Sequence, residues 1–403
     1  MHPPSPTLFP GTHAGWLDAA DCRVAELEAV LKAGADCPHP PHAVEVARGI
    51  PVYDSAALRP VLEDPAVCRR IQAEWHQVLA DGAGVLVLRG AFDARHALDE
   101  ATAQFHALID AEREADRQGT GGRPRGADHF AQAGANDRVW NALEKLCLSA
   151  PAVFARYYGN DLLALMSQAW LGPGYQMTSQ INCVNPGGAA QSPHRDYHLG
   201  FFTPAQAMAY PSVVHRLSPH LTLQGAVVHG DMPIESGPTL LLPHSQKYLP
   251  GYLVAGRADF DAWFAAHAVQ LPLRHGDALF FNPALMHAAG SNRSASIRRL
   301  ANLLQVSSAF GRAMEAVDRV RMSMALYPVL QAALQAGTLS PAQAHSAIAC
   351  CAEGYAFPTD PDRNPPVGGL APPNHQALFE RALQANWPAE RFVAALADRA
   401  TTD

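Results

Sequence analysis

Hydrophobic positions along this chain change their period twice. Over residues 16–34, Leu17, Val24, Leu27, Val30 and Leu31 fall at helical spacing, and Cys37-Pro38-His39-Pro40-Pro41 ends the segment. Ala57 to Ala80 carries Leu62, Ile71, Trp75 and Leu79 and predicts one or two helices. After Asp81-Gly82-Ala83-Gly84 the pattern becomes the apolar run Val85-Leu86-Val87-Leu88, which predicts a buried strand closed by Arg89-Gly90. Helical spacing returns over 94–115 and 140–171. Between them the Gly- and Arg-rich segment Gln118 to Ala127 predicts a loop.

From Tyr175 to about Phe310 the chain changes character. Short runs rich in branched and aromatic residues (Tyr175–Val184, Leu221–Val228, Thr239–Leu242, Ala278–Phe281, Leu300–Val306) are separated by Gly, Pro and Asn. Such spacing predicts an antiparallel sandwich or barrel. Helices are expected again at Ala313–Ala336, at Pro341–Tyr355 behind a Ser340 cap, and at His375–Ala400 with an interruption at Pro388. The expected organisation is therefore a helical extension over 1–80, a β-rich core with inserted helices over 81–311, and a helical region over 312–403 packed on that core. No internal repeat or Gly-rich phosphate loop is present in the sequence.

Composition narrows the partners. The chain has 403 residues, 48% hydrophobic and 17% charged, with a formal net charge of −7, which suits a globular protein. Without a basic stripe, neither nucleic acid nor an anionic membrane is an expected partner, and no apolar stretch is long enough to span a bilayer. The seven cysteines are scattered, odd in number and lack a Cys-x-x-Cys pair. They read as reduced thiols of a cytoplasmic protein. Met1-His2-Pro3-Pro4-Ser5-Pro6 offers no basic region followed by an apolar run, so no secretory signal is expected.

The chemistry concentrates at His194-Arg195-Asp196. Alternate residues of a strand share a face, so an extended segment aims His194 and Asp196 at one point, with His198 on the same side. Two histidines and one carboxylate on one face of a metal, with other positions open, is the donor set of non-haem Fe(II) oxygenases. With nineteen histidines in the chain the tripeptide alone is weak. Its setting strengthens it: a turn at Asn185-Pro186-Gly187-Gly188 precedes it, and His287 follows the apolar strand Ala278–Phe281. The rival, a helical zinc pair of His194 and His198, lacks a following Glu and runs into Gly200. Gln180 and Asn182 alternate on the strand leading to the site and are expected to face cosubstrate or substrate.

These residues, in order, resemble the phytanoyl-CoA dioxygenase family of Fe(II)/2-oxoglutarate-dependent oxygenases. The resemblance rests on Pro193 to His198, Glu235-Ser236-Gly237-Pro238-Thr239-Leu240-Leu241-Leu242-Pro243-His244-Ser245, Gly276-Asp277 to Phe281, His287 and Arg298, and covers roughly 80–310. It implies a mainly β fold with flanking helices, a double-stranded β-helix (jelly-roll) core with N- and C-terminal helical extensions. It also implies Fe(II) on His194, Asp196 and His287, 2-oxoglutarate and O2 as cosubstrates, and hydroxylation of a small-molecule metabolite with release of succinate and CO2. Arg298, better spaced from His287 than Arg299, is expected to take the distal carboxylate of 2-oxoglutarate. Halogenating relatives lack the carboxylate that Asp196 supplies here. The sequence departs from the family at Ala289, where a hydroxyl is usual, and at Gln224, where an aromatic is usual. His198, Gln224, Thr239, Arg123 and His129 are candidates for substrate or supporting contacts. The alternative is a non-catalytic jelly-roll that binds a metal or ligand. Oligomeric state and substrate identity are not legible.

Overall fold

A computed structural model describes residues 15–34, 38–118, 135–363, 365–366, 368 and 371–400. Among the described residues, ten strands form two sheets: β1 (Glu45–Ala47), β2 (Ile50–Asp54), β3 (Val85–Arg89), β4 (Asn136–Val139), β5 (Gln176–Val184), β6 (Thr222–Val228), β7 (Leu240–Leu241), β8 (Ala278–Phe281), β9 (His287–Ala288) and β10 (Arg299–Ser307). The major sheet has eight strands in the order β1-β2-β3-β8-β6-β10-β5-β4, and β7 pairs with β9 in a second, short sheet. All pairs are antiparallel except β2 with β3. Isolated bridges continue the short sheet, joining His194 to His287 and Leu241 to Val269. The result is the jelly-roll expected from the sequence, with a long regular sheet facing a broken one.

Strand parity separates the two faces of the major sheet. Leu86, Leu88, Met177, Ile181, Cys183, Leu223, Val227, Ala278, Phe280, Leu300, Leu304 and Val306 point to the helices and join one large core. Val85, Val87, Val228, Leu279, Phe281 and Ala301 point the other way, toward the short sheet. The helical layer comprises Pro65–Ala80, Leu98–Arg117, Ala142–Ser149, Pro151–Tyr158 and Asp161–Leu171, joined by the C-terminal helices Arg319–Gln335, Pro341–Cys351, His375–Gln384 and Ala389–Ala400. Leu378, Phe379, Phe392 and Leu396 belong to the same core as Trp75 and Phe280. Among the described residues, no helix is long and apolar enough to cross a membrane.

Several boundaries differ from the sequence expectation for local reasons. The helix expected from Ala313 starts at Arg319, because the Asp318 side chain accepts from Arg321 N–H and fixes the first turn there. Ser340 caps Pro341–Cys351 through a reciprocal box with Gln343. The short strands β1, β2 and β4 carried no usable apolar alternation and went unread.

Candidate metal and cosubstrate site

His194 and His287 lie opposite each other, and their backbones exchange two hydrogen bonds of 3.0 Å. This rung aims both rings into the space between the sheets, with ring centroids 4.5 Å apart. Asp196 completes the group, its Oδ1 lying 3.6 Å from His194 Nε2 and its Oδ2 lying 3.5 Å from His287 Nε2. One potential ligand atom from each of the three lies within 4.8 Å of the others.

Each imidazole is oriented by its other nitrogen. His194 Nδ1 is 2.8 Å from Ser192 O and His287 Nδ1 is 2.9 Å from Leu285 O. A carbonyl can only accept, so Nδ1 carries the proton and Nε2 presents its lone pair toward Asp196. Burial and the neighbouring His287 lower the His194 basicity, against the pull of Asp196. Burial alone would raise the Asp196 carboxyl. While the rings are protonated at both nitrogens, the hydrogen bond and charge of His287, with His194 and Gln224, hold it below the usual carboxylate range. Two neutral Nε2 atoms and an ionised carboxylate form a suitable donor set for a divalent cation. His194 Nε2, His287 Nε2 and the Asp196 carboxylate are the groups that would hold it.

The backbone that delivers Asp196 is not the strand the sequence predicted. Asp196 N–H donates to Pro283 O, and Tyr197 (φ 67°) and His198 (φ 42°) are both left-handed. They lead into a three-ten helix, His198–Phe201. These two residues break the alternation, so His198 does not line the cavity with His194 and Asp196. The expectation that it faces the site is corrected. Arg195 turns away, and its Nη2 donates to Ser245 O and to Tyr248 O at 2.8 Å. Its guanidinium lies 5.3 Å from the Tyr252 ring centroid.

The triad opens onto a cavity of about 600 Å³ between the sheets. Gln180, Asn182, Gln224 and Thr239 line it. Gln224 Nε2 donates to Asp196 Oδ2, a contact that a phenylalanine could not make. Ala289 also lines the cavity; Ser291 instead accepts from Ala190 N–H at 3.0 Å and does not replace the hydroxyl missing at 289.

The two arginines exchange the positions expected of them. Arg298 is partly exposed on the outer side, with Nε 3.3 Å from Asn185 Oδ1 and Nη2 3.7 Å from Asp137 Oδ2. It does not line the cavity, whereas Arg299 does. Arg299 is 7% exposed and donates from Nη1 to Ser236 O and Gly290 O, both at 3.2 Å. Burial pushes its basicity down to about 10, which leaves it charged at neutral pH. Strand parity carried the signal. Arg298 falls in step with Leu300, Leu304 and Val306, the helix-facing set, while Arg299 falls in step with Gln305. Sequence reasoning also missed Arg138 and Trp140, which line the cavity from β4 and its end. Arg123 and His129 lie outside the described residues.

A jelly-roll with two histidines and a carboxylate converging between its sheets, beside a buried arginine, has the architecture of a non-haem metal oxygenase. A family model described as phytanoyl-CoA dioxygenase matches residues 56–300, and the chain belongs to that family. It is an enzyme that uses Fe(II) and 2-oxoglutarate. No curated protein matches the chain. Among solved structures, it is similar to HygX from Streptomyces hygroscopicus with nickel, 2-oxoglutarate and hygromycin B bound, at 16% identity over 60% of this chain and 89% of that one (TM-score 0.42). It is similar to the epimerase SnoN from nogalamycin biosynthesis at 18% identity over 61% and 82% of the two chains (TM-score 0.38). The carbocyclase SnoK from the same biosynthesis matches at 18% identity over 56% and 80% (TM-score 0.37).

Proposed function

We propose that the chain hydroxylates a small-molecule metabolite, with His194, Asp196 and His287 as the iron ligands and Arg299 as the anchor of the distal carboxylate of 2-oxoglutarate. The observation that carries this reading is the pair of imidazoles locked by backbone carbonyls with both Nε2 atoms turned on one ionised carboxylate. Bound Fe(II) supplies the activation of O2 by 2-oxoglutarate. The overall balance is substrate C–H plus O2 plus 2-oxoglutarate giving substrate C–OH, succinate and CO2.

The protein's own contribution is positional. The His194–His287 rung sets the separation of two ligands, and Gln224 holds one oxygen of Asp196. Arg299 presents a planar fork from a buried position, suited to bidentate carboxylate binding. The intact carboxylate at 196 favours oxygen insertion over halide transfer.

Fe(II)-loaded protein is expected to release succinate from 2-oxoglutarate, and His194→Ala to abolish release. Arg299→Gln should raise the 2-oxoglutarate KM about 100-fold, since truncating a buried charge pair typically costs ~2–5 kcal/mol. Arg298→Gln should stay within about threefold of the parent, as expected for an exposed pair. Equal effects at 298 and 299, or no succinate with any substrate, would reject the assignment.

A further inference from the structure

The surface that follows Asp196 along the chain is unlike the rest. Phe201, Phe202, Tyr210, Val213 and Leu217 are five of the twelve large apolar side chains exposed among the described residues, and all lie within residues 201–217. Single exposed apolar residues are ordinary, whereas a concentration of them marks a binding surface. From Tyr197 to His215 the chain has no Asp, Glu, Lys or Arg, so this stretch brings neither a carboxylate nor a basic head group to the surface.

Phe201 joins that surface to the metal centre. It lines the cavity that holds the triad and is 52% exposed, so its ring stands at the mouth. Packing from behind fixes it there. Leu199 is buried with Tyr252 and Ala284, and Val214 of the helix Ser212–Leu217 packs on them. Tyr197 is buried too, and the Phe201 ring meets it edge-on, with centroids 6.5 Å apart and planes at 87°. Gly200 lies so close to the metal-bearing segment that a Cβ there would fall 2.1 Å from Arg195 O. The left-handed pair Tyr197 and His198 turns the chain outward to make this arrangement. Sparsely populated backbone conformations persist where the surrounding packing enforces them, and they gather at functional sites. Farther out, Phe202 and Tyr210 lie nearly parallel, with planes at 7° and centroids 5.8 Å apart.

We infer that Phe201 is a specificity-determining residue and that the substrate carries an uncharged aromatic ring, which rests on Phe201 at the mouth while the carbon to be oxidised reaches the metal centre. This substrate class rests on the proposed function. Continuity names the occupant: the ring at the start of the exposed surface is also a wall of the reaction cavity, so a molecule seated in one touches the other. Aromatic rings pack on one another offset or edge to face, and gain more than their buried area alone supplies. A rigid ring loses little freedom on a fixed ring, whereas a flexible acyl chain must immobilise many bonds to cover the same surface. A CoA thioester would also bring phosphates to a segment that has no Lys or Arg between Tyr197 and His215.

The test uses the full-length protein loaded with Fe(II) and 2-oxoglutarate under nitrogen, titrated calorimetrically with 2-naphthol, 1-decanol and myo-inositol. The first two have equal carbon counts, one rigid and one flexible, and the third is a polar ring. 2-Naphthol should bind at a single site about tenfold more tightly than 1-decanol, and myo-inositol should not bind. Phe201→Ser should weaken 2-naphthol by about tenfold, and Phe201→Tyr should keep the parent affinity. Both variants should titrate with 2-oxoglutarate as the parent does, followed by the visible band of the anaerobic complex, which also reports that they are folded. The assignment is overturned if 1-decanol binds as tightly as 2-naphthol, or if myo-inositol binds better than either. It is equally overturned if Phe201→Ser leaves 2-naphthol unaffected or loses 2-oxoglutarate, or if Phe201→Tyr is as weak as Phe201→Ser. A parent dimer that Phe201→Ser converts to a monomer in light scattering would give the surface to a second copy of the chain instead. A parent that shows no band with 2-oxoglutarate fails the underlying reading. One that shows the band but does not bind 2-naphthol fails only the aromatic substrate.

Discussion

Gly251 illustrates how tightly single residues define the site. A Cβ there would fall 2.0 Å from Arg195 Cζ, inside the guanidinium that holds the backbone between His194 and Asp196. Gly251→Ala must therefore displace Arg195 from the carbonyls of Ser245 and Tyr248. We expect a loss of about 1–3 kcal/mol in urea unfolding, together with weaker Fe(II) binding by titration. A variant as stable as the parent, with unchanged iron affinity, would contradict this role. The same scale shows what the sequence could and could not convey. His194, Asp196 and His287 were legible because their residue types and order are diagnostic. The choice between Arg298 and Arg299 was not settled by distance along the chain. The connection through Ser294 and Ile297 is irregular, and a one-residue shift moves every side chain of a strand to the other face. His198 was misread for a related reason, since nothing in Asp196-Tyr197-His198 announces two consecutive left-handed residues.

At the level of elements, β10 is the hub. It lies between β6 and β5 in the major sheet and carries Arg299 on one face and Asn302 on the other. Asn302 Nδ2 donates to the hydroxyls of Tyr157 and Tyr158, each at 3.1 Å. Tyr157 in turn meets His229 Nε2 at 2.8 Å, and Thr102 meets His229 Nδ1 at 2.7 Å. This buried chain of polar groups ties two helices to the back of the sheet that forms the cavity. Burial pushes the His229 imidazole down to about 3, helped by His275 and His106. Its folded pKa is thus below the unfolded one. Its stabilising contribution is complete above about pH 6.5 and is lost as pH falls from there toward 3, by at most ~1.4 kcal/mol per pH unit. The urea midpoint of the parent should fall across that window more steeply than that of His229→Gln; parallel slopes would rule out the neutral buried imidazole. Element types were largely readable from periodicity, and Ala278–Phe281 was placed to the residue. The edge strand β4 was not, because Asn136-Asp137-Arg138-Val139 has no apolar alternation and owes its conformation to pairing with β5. That omission also hid Arg138.

For the whole molecule, the C-terminal helices complete the core rather than merely covering it. Phe392 stacks on Tyr327 with ring centroids 4.2 Å apart and meets Phe379 at 4.8 Å, in the cluster that reaches Phe280 on β8. Phe392→Ala should cost about 3–5 kcal/mol and lower a single calorimetric transition, the one that Fe(II) and 2-oxoglutarate raise. Two separate transitions, with only one moved by cosubstrate, would show that the helices fold independently of the site.

The rung between His194 and His287 has one more consequence. Their two amide hydrogens point into each other's carbonyls, so neither can exchange with deuterium until that rung parts. A cation gripping both rings in front would slow deuterium uptake at both positions together, and a chelator would restore it. Mass-spectrometric labelling of peptides spanning the two histidines would then report occupancy of the centre without turnover or any knowledge of the substrate.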